Sequence, residues 1–213
     1  MLRTLIKNIP GVKRFARLVG VKGWHDFLLD RLPKHSIGAE IGVHLGDFSQ
    51  EVLDVLAPTE LHLIDPWEYQ PATIYQNAWY GGKAEGGQDE MDARYARVCQ
   101  RFDRQIQAEQ VKVHRGYSTD ILAQFPDEYF DWIYIDGNHL YDYVKQDLEL
   151  SLRKTKPDGF IAGDDYTSGG WWHGGVKNAV DEFAQHQTVH LLEIRNRQFI
   201  FRRHPAAGSL EQP

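Results

Sequence analysis

The chain has 213 residues, of which 42% are hydrophobic and 25% charged, and carries a net charge of −6. That length suits one domain with a helical appendage and leaves no room for a second full domain, and no apolar run approaches the roughly 20 residues that cross a bilayer. The charge is uneven, +6 over residues 1–34 and −12 over the rest, and the acidic body argues against a nucleic-acid substrate, whose phosphates call for clustered Lys and Arg.

Residues 1–34 read as a basic helical segment. Lys7, Lys13, Arg14 and Arg17 interrupt its apolar residues, which makes it a poor signal peptide. Cys99 is the only cysteine, in keeping with a reducing compartment, so the expectation is a cytoplasmic protein without an internal disulfide. A solvated helix face and a contact with a partner or membrane surface both remain open for the basic residues.

From residue 35 to 204, short apolar runs alternate with helical stretches, the pattern of an α/β sheet with helices on both faces. Strands are predicted at Ile37–Val43, Glu60–Asp65, Val111–Arg115, Phe130–Asp136 and Gly159–Gly163. Helices are predicted at Phe48–Leu56, Glu90–Gln107, Thr119–Gln124, Tyr141–Arg153 and Val176–His186. Val189–Ile194 and Arg197–Arg202 read as an antiparallel hairpin around Arg195-Asn196, and residues 205–213 as a tail. Residues 66–90 form a long aperiodic connection with Trp67, Tyr69, Tyr75, Trp79 and Tyr80, expected to act as an active-site lid.

The first strand runs through Glu40, Gly42, Gly46 and Ser49 into a helix. Glycines at that junction let a ligand approach the backbone and the free N–H groups of the helix start. The spacing is not the G-x-G-x-x-G of a dinucleotide fold, which favours a cofactor with an amino-acid tail over one with a pyrophosphate. Asp65 closes the second strand, where a carboxylate accepts hydrogen bonds from ribose hydroxyls; a helix cap explains it equally well. Tyr117 and Ser118 follow the third strand, where Tyr117 either stacks on an adenine or belongs to the core.

The ordered array EIGVHLGDFS, LIDPW, GYS, YIDGNHLYDYVKQDL, KPDGFIAGDDY and WWHGGVKNAVDEF resembles the class I S-adenosylmethionine-dependent methyltransferases. It is most similar to the metal-dependent O-methyltransferases that modify macrolide and related glycosylated metabolites, the macrocin, mycinamicin and novobiocin enzymes, over about residues 36–203. The resemblance implies a Rossmann-like, seven-stranded sheet with a C-terminal antiparallel hairpin. It also implies that Glu40, Gly42 and Ser49 hold the amino-acid end of S-adenosylmethionine, Asp65 the ribose and Ser118 the adenine side; Gly46, Tyr117 and Asp136 are expected to border the same cofactor.

Asp136, Asp164 and Asp165 sit at the ends of two neighbouring strands, and three clustered carboxylates call for a cation, Mg²⁺ or another divalent ion, in an all-oxygen site. His139, spaced as in the catalytic Asp-x-x-His of the mycinamicin-like relatives, is the expected general base beside Asp136. Asn138, Tyr166, Trp171 and Trp172 are expected to meet a small hydroxylated substrate, the tryptophans by stacking on a sugar ring or phenol. Several relatives carry Asp where Asn138 stands, which puts the base on His139 or leaves the metal to act alone. Tyr141 and Asp147 also match the array, although a helix cap and a solvated helix face account for them. A homodimer is compatible with the resemblance. Two other functions stay open: an oxidoreductase or hydroxylase-like enzyme with a nucleotide cofactor, and a non-catalytic methyltransferase-like partner of a glycosyltransferase.

Overall fold

The computed structural model describes residues 23–205. Strands β1 (Ile37–Ile41), β2 (Glu60–Asp65), β3 (Val111–Arg115), β4 (Phe130–Ile135) and β5 (Thr155–Gly163) run parallel, and β6 (Val189–Arg195) and β7 (Gln198–Arg203) form a hairpin with β7 antiparallel to β5. They make one seven-stranded sheet in the order β3-β2-β1-β4-β5-β7-β6. The helices are α1 (Asp26–Leu29), α2 (Asp47–Leu56), α3 (Gly87–Arg101), α4 (Asp103–Gln107), α5 (Ser118–Leu122), α6 (Tyr141–Lys154) and α7 (Gly175–Phe183).

The inner parallel strands are mostly apolar on both faces because helices cover both, whereas edge strand β3 carries Lys112, His114 and Arg115. On one side Phe27 and Leu28 of α1, Val52 and Leu56 of α2, and Met91 and Val98 of α3 pack on Leu61, Leu63, Trp132 and Tyr134. On the other, Leu122 of α5, Val144 and Leu148 of α6, and Val176 and Val180 of α7 pack on Ala39, Ile41, Ile133, Ile135 and Ile161. Strand β4 shows why the period of two matters: Trp132 and Tyr134 enter the first core, Ile133 and Ile135 the second. No helix among the described residues is long and apolar enough to cross a membrane.

Several boundaries differ from the sequence reading, each for a local reason. Strand β1 stops at Ile41 because Gly42, at φ 86°, turns the chain. The helix expected over 90–107 starts at Gly87 and breaks at Phe102, whose non-helical backbone (φ −106°, ψ 16°) separates α3 from α4. Strand β5 begins four residues before Gly159, at Thr155, with an irregular register opposite Phe130 and Trp132. The hairpin turn falls on Asn196-Arg197, not Arg195-Asn196, and both turn residues have positive φ, 53° and 63°, as a two-residue turn matched to strand twist requires. Residues 66–90 contain a 3-10 turn at Thr73–Tyr75 and cross-loop bonds from Gln70 N to Tyr80 O (2.7 Å) and Gly82 N to Tyr75 O (3.0 Å). Residues 1–22 of the basic segment and 206–213 of the tail lie outside the described residues.

Strands β1 and β4 lie side by side while the chain leaves them for opposite halves of the sheet, which opens a crevice at their carboxyl ends. Gly42 N bonds Ile64 O (2.9 Å) and Asp136 N bonds Ile41 O (2.7 Å), so the ends of β1, β2 and β4 are fixed against one another at that crevice.

Candidate active site

Gly42 cannot be another residue without moving a strand: a Cβ there would stand 2.0 Å from the carbonyl oxygen of Asp136. The turn it starts is tied down by Asp65. Oδ2 of Asp65 accepts hydrogen bonds from Val43 N (2.8 Å), His44 N (3.0 Å) and Tyr80 OH (2.6 Å), and Oδ1 accepts one from Trp67 N (2.8 Å). A carboxylate offers about four lone-pair sites, so little acceptor capacity remains beyond Oδ1. Burial raises the pKa of Asp65, and these four donors pull it back.

The crevice deepens into a cavity of about 370 Å³. Gly42, Ile64 and Asp65 form its floor at β1 and β2. Tyr117, Ser118, Tyr143 and Asp147 flank one side, Asp136 to His139 with Asp165 and Trp171 the other, and Gln70, Tyr75, Trp79 and Tyr80 of the 66–90 segment complete the wall. His44 also lines it. Burial first, and then Arg94, hold His44 down to about 4, and its Nε2 has no hydrogen-bond partner.

At the β4–β5 end, ligand atoms of Asp136, His139 and Asp165 lie within 4.8 Å of one another. The imidazole sits between the two carboxylates, Nε2 at 3.4 Å from Asp136 Oδ1 and Nδ1 at 3.4 Å from Asp165 Oδ2. Its ring lies roughly parallel to Trp171 at 5.7 Å and meets Trp172 edge-on at 4.7 Å, which fixes its plane. Asp165 also pairs with the Arg197 guanidinium from the β6–β7 turn. Asp164 turns away from this group: Oδ2 accepts from Trp24 Nε1 (3.4 Å) and Gln198 Nε2 (3.3 Å), and Oδ1 accepts from the Asp165 amide (2.6 Å). Adjacent residues leaving a strand point to opposite sides, and Asp165 with φ 60° accentuates the divergence. The trio that converges is therefore two carboxylates and an imidazole, rather than three carboxylates.

Gly42, Asp65, Tyr117, Ser118 and Asp136 of the expected cofactor residues line the cavity; Glu40, Gly46 and Ser49 do not. Glu40 is 1% exposed and accepts the Ser49 hydroxyl at 2.6 Å beneath the turn, and burial pushes its pKa well up. That pair braces the turn from below. Gly46, at φ 76°, caps α2 where a Cβ would meet the Phe102 ring at 2.6 Å.

Asn138 and Trp171 of the expected substrate residues line the cavity. Asn138 donates from Nδ2 to Tyr75 OH (2.8 Å) and accepts the Leu140 amide (3.0 Å). Trp172 is packed in the second core with Val176 and Val180, and Tyr166 donates its hydroxyl to Asp181 (2.7 Å), outside the cavity. The helix-cap reading of Tyr141 also yields: Leu140 is the cap of α6, and the Tyr141 hydroxyl pairs with Glu182.

Asp147 overturns the solvated-face reading. It is 3% exposed, and its pKa rises to about 7 through burial, which the Ser118 hydroxyl only partly offsets. A signal was present in the sequence, because Val144, Asp147, Leu148 and Ser151 fall on one stripe of α6. His44 is the other wall residue the sequence reading passed over, although it stands between Gly42 and Gly46 in the turn itself.

No curated protein matches the chain. Solved structures share its fold at low identity. The N-methyltransferase NodS from Bradyrhizobium japonicum WM9 is 18% identical with a TM-score of 0.55, covering 85% of this chain and 95% of that one. A protein assigned as a caffeoyl-CoA O-methyltransferase from Staphylococcus aureus is 14% identical with a TM-score of 0.60, covering 92% of both. An rRNA methylase from Streptococcus thermophilus is 13% identical with a TM-score of 0.54, covering 85% and 94%. A family described as a methyltransferase domain matches residues 39–166, more than half of the chain. That span holds the Gly42 turn, Asp65, Ser118 and the convergent Asp136, His139 and Asp165, and the chain is a methyltransferase belonging to this methyltransferase-domain family.

Proposed function

We propose that this methyltransferase uses S-adenosylmethionine to methylate a hydroxyl of a small polar acceptor, a sugar or glycosylated metabolite, with a divalent cation assisting. Gly42, Asp65, Tyr117 and Ser118 would hold the cofactor, which when bound supplies an electrophilic methyl on a sulfonium that leaves as a neutral thioether. The observation that carries the reading is His139, an imidazole on the cavity wall with Nε2 at 3.4 Å from Asp136 and a buried Nδ1, without a hydrogen-bond partner, at 3.4 Å from Asp165.

His139 accepts the proton of the acceptor hydroxyl, and Asp136 stabilises the imidazole that receives it. Asn138 and Tyr75 present an amide and a phenol to a polyol, and Trp171 offers a flat face to a ring. The cavity wall carries Asp65, Asp136, Asp147 and Asp165 and, among the described residues, no Lys or Arg. That favours a neutral or cationic small acceptor over RNA.

The donor set fits a cation moderately well. Asp136 and Asp165 would hold it, leaving the His139 imidazole to act as base, and two carboxylates suit Mg²⁺ or Mn²⁺. Its chemistry would be to acidify the acceptor hydroxyl. The pairing of Asp165 with Arg197 favours a second, metal-free reading, in which the guanidinium balances the carboxylate instead.

Product analysis with S-adenosylmethionine and a panel of vicinal diols and aminosugars, with and without EDTA, tests both. Methyl ether formation lost with EDTA and restored by Mg²⁺ or Mn²⁺ is the expected result. EDTA-insensitive turnover would leave the metal-free reading, and exclusive N-methylation would end the hydroxyl assignment. His139→Gln is expected to lower kcat about 10²–10⁴-fold with cofactor affinity unchanged; a loss below threefold would remove His139 as base.

A further inference from the structure

The segment over residues 66–90 is fastened to the cavity by two phenols, one on the Asn138 side and one on the Asp65 side. Asn138 donates to the Tyr75 hydroxyl (2.8 Å), and the Tyr80 hydroxyl donates to Asp65 Oδ2 (2.6 Å). The second fastening crowds its acceptor. Oδ2 also accepts Val43 N (2.8 Å) and His44 N (3.0 Å), three donors on an oxygen with about two lone pairs. Oδ1 accepts Trp67 N (2.8 Å) and keeps room for about one more donor.

A ribose brings two vicinal hydroxyls to such a carboxylate and needs two acceptors. One of the Oδ2 donors must therefore yield. Val43 and His44 cannot, because they donate from the backbone of the turn that Gly42 starts, where Gly42 N is bonded to Ile64 O (2.9 Å). Tyr80 can, because it donates from a side chain. Its ring lies 6.0 Å from that of His44 and 5.7 Å from the Arg94 guanidinium, a packing loose enough for the hydroxyl to swing. Tyr80 and Asp65 both line the cavity, so the phenol oxygen stands where a ligand hydroxyl arrives. Burial first, and then Asp65, hold the phenol above its ordinary pKa, so it stays protonated and remains a donor.

We propose that Tyr80 is a displaceable latch: its hydroxyl stands in for one ribose hydroxyl on Asp65, and the ribose of the cofactor exchanges with it on binding and release. The latch rests on the S-adenosylmethionine reading. Asp65 then has a donor in either state, the phenol without cofactor and the ribose with it, and the floor of the cavity never holds an unsatisfied carboxylate. Gln70 N to Tyr80 O (2.7 Å) and Arg94 to Trp79 O (2.8 Å) keep the backbone attached, so the side chain moves while the segment stays in place. The exchange weakens cofactor binding by the worth of the phenol bond and, run backwards, helps the spent cofactor to leave.

The test is calorimetric titration of the full chain and of Tyr80→Phe with S-adenosylhomocysteine and with its 2′,3′-dideoxyribose analogue. In the wild type the ribose trades one donor for another, so its hydroxyls add little affinity. Tyr80→Phe offers the ribose an acceptor with no competitor and is expected to bind S-adenosylhomocysteine at least about tenfold more tightly, as one hydrogen bond to a charged group implies. The dideoxy analogue should stay within threefold of its wild-type affinity. Thermal unfolding reads the same exchange by a second route. Unliganded Tyr80→Phe should melt below the wild type, and saturating S-adenosylhomocysteine should raise its Tm by more than it raises that of the wild type. Unchanged or weaker binding of S-adenosylhomocysteine by the variant, or an equal gain for both ligands, overturns the latch and leaves the cofactor reading intact. A wild type and a variant that bind neither ligand overturn the cofactor reading and the latch with it.

Discussion

Replacing Asp147 by Asn should stabilise the unliganded protein, and increasingly so as the pH rises. The Asp147 carboxyl has a pKa near 7 in the folded chain against an ordinary 3.8, because burial penalises its charged form more than the Ser118 hydroxyl compensates. Folding therefore takes up a proton between about pH 4 and pH 7, and stability from this group is greatest below the unfolded value and falls as pH rises through the window. At roughly 1.4 kcal/mol per pH unit, the full penalty at pH 8 is at most ~4 kcal/mol, and about half of it is incurred between pH 5.5 and pH 8. Asn keeps an oxygen for Ser118 and carries no charge to bury. The stabilisation by Asp147→Asn should thus be larger at pH 8 than at pH 5.5 by about 1–2 kcal/mol, which for a domain of this size is roughly 2–8 °C in Tm. Thermal unfolding of both proteins at the two pH values, without ligand, measures it. An identical Tm difference at both pH values, or a variant less stable at pH 8, would refute a buried, poorly compensated carboxyl.

Three further outcomes follow from the geometry. Gly42→Ala combines a positive φ of 86° with a Cβ at 2.0 Å from the Asp136 carbonyl, so urea unfolding should report a loss of more than ~2 kcal/mol together with loss of S-adenosylhomocysteine binding. Asp65→Asn points an amide NH₂ at backbone N–H groups that now donate to the carboxylate and should cost about 1–3 kcal/mol in the same assay; a neutral effect would show that those bonds contribute little. Arg197→Ala removes the guanidinium from Asp165, so titration with Mn²⁺ followed by electron paramagnetic resonance should show tighter binding by severalfold, and unchanged or weaker binding would mean that Asp165 is no cation ligand.

The sheet was legible in the sequence because its inner parallel strands are apolar on both faces and stop at Gly or Asp, as Ile37–Ile41 before Gly42 and Phe130–Ile135 before Asp136 do. Helix ends were less so. The break at Phe102 depends on a ring that fills the space above Gly46, a long-range contact with no local marker. The pairing of Asp164 and Asp165 at one point failed for a reason visible in advance, since consecutive residues leaving a strand diverge. Glu40 and Ser49 fall beneath the turn because Glu40 lies on β1 with its side chain in the interior, and only the fold of the turn above it decides that.

The carboxylates of the cavity differ in how fully the protein itself satisfies them, and that difference orders the site. Asp65 spends its acceptors on the turn that makes the floor, so its first task is structural. Asp136 and Asp165 flank one imidazole, and Asp165 also pairs with the Arg197 guanidinium, so their acceptors face side chains rather than the backbone of a turn. Asp147 has one hydroxyl and an otherwise unmet carboxyl in a dry corner. A ligand gains most where the protein has left acceptors empty and disturbs least where they are filled. On the function proposed above, these differences would draw a donor-bearing part of a ligand to the Ser118 side and the reacting hydroxyl to the His139 side.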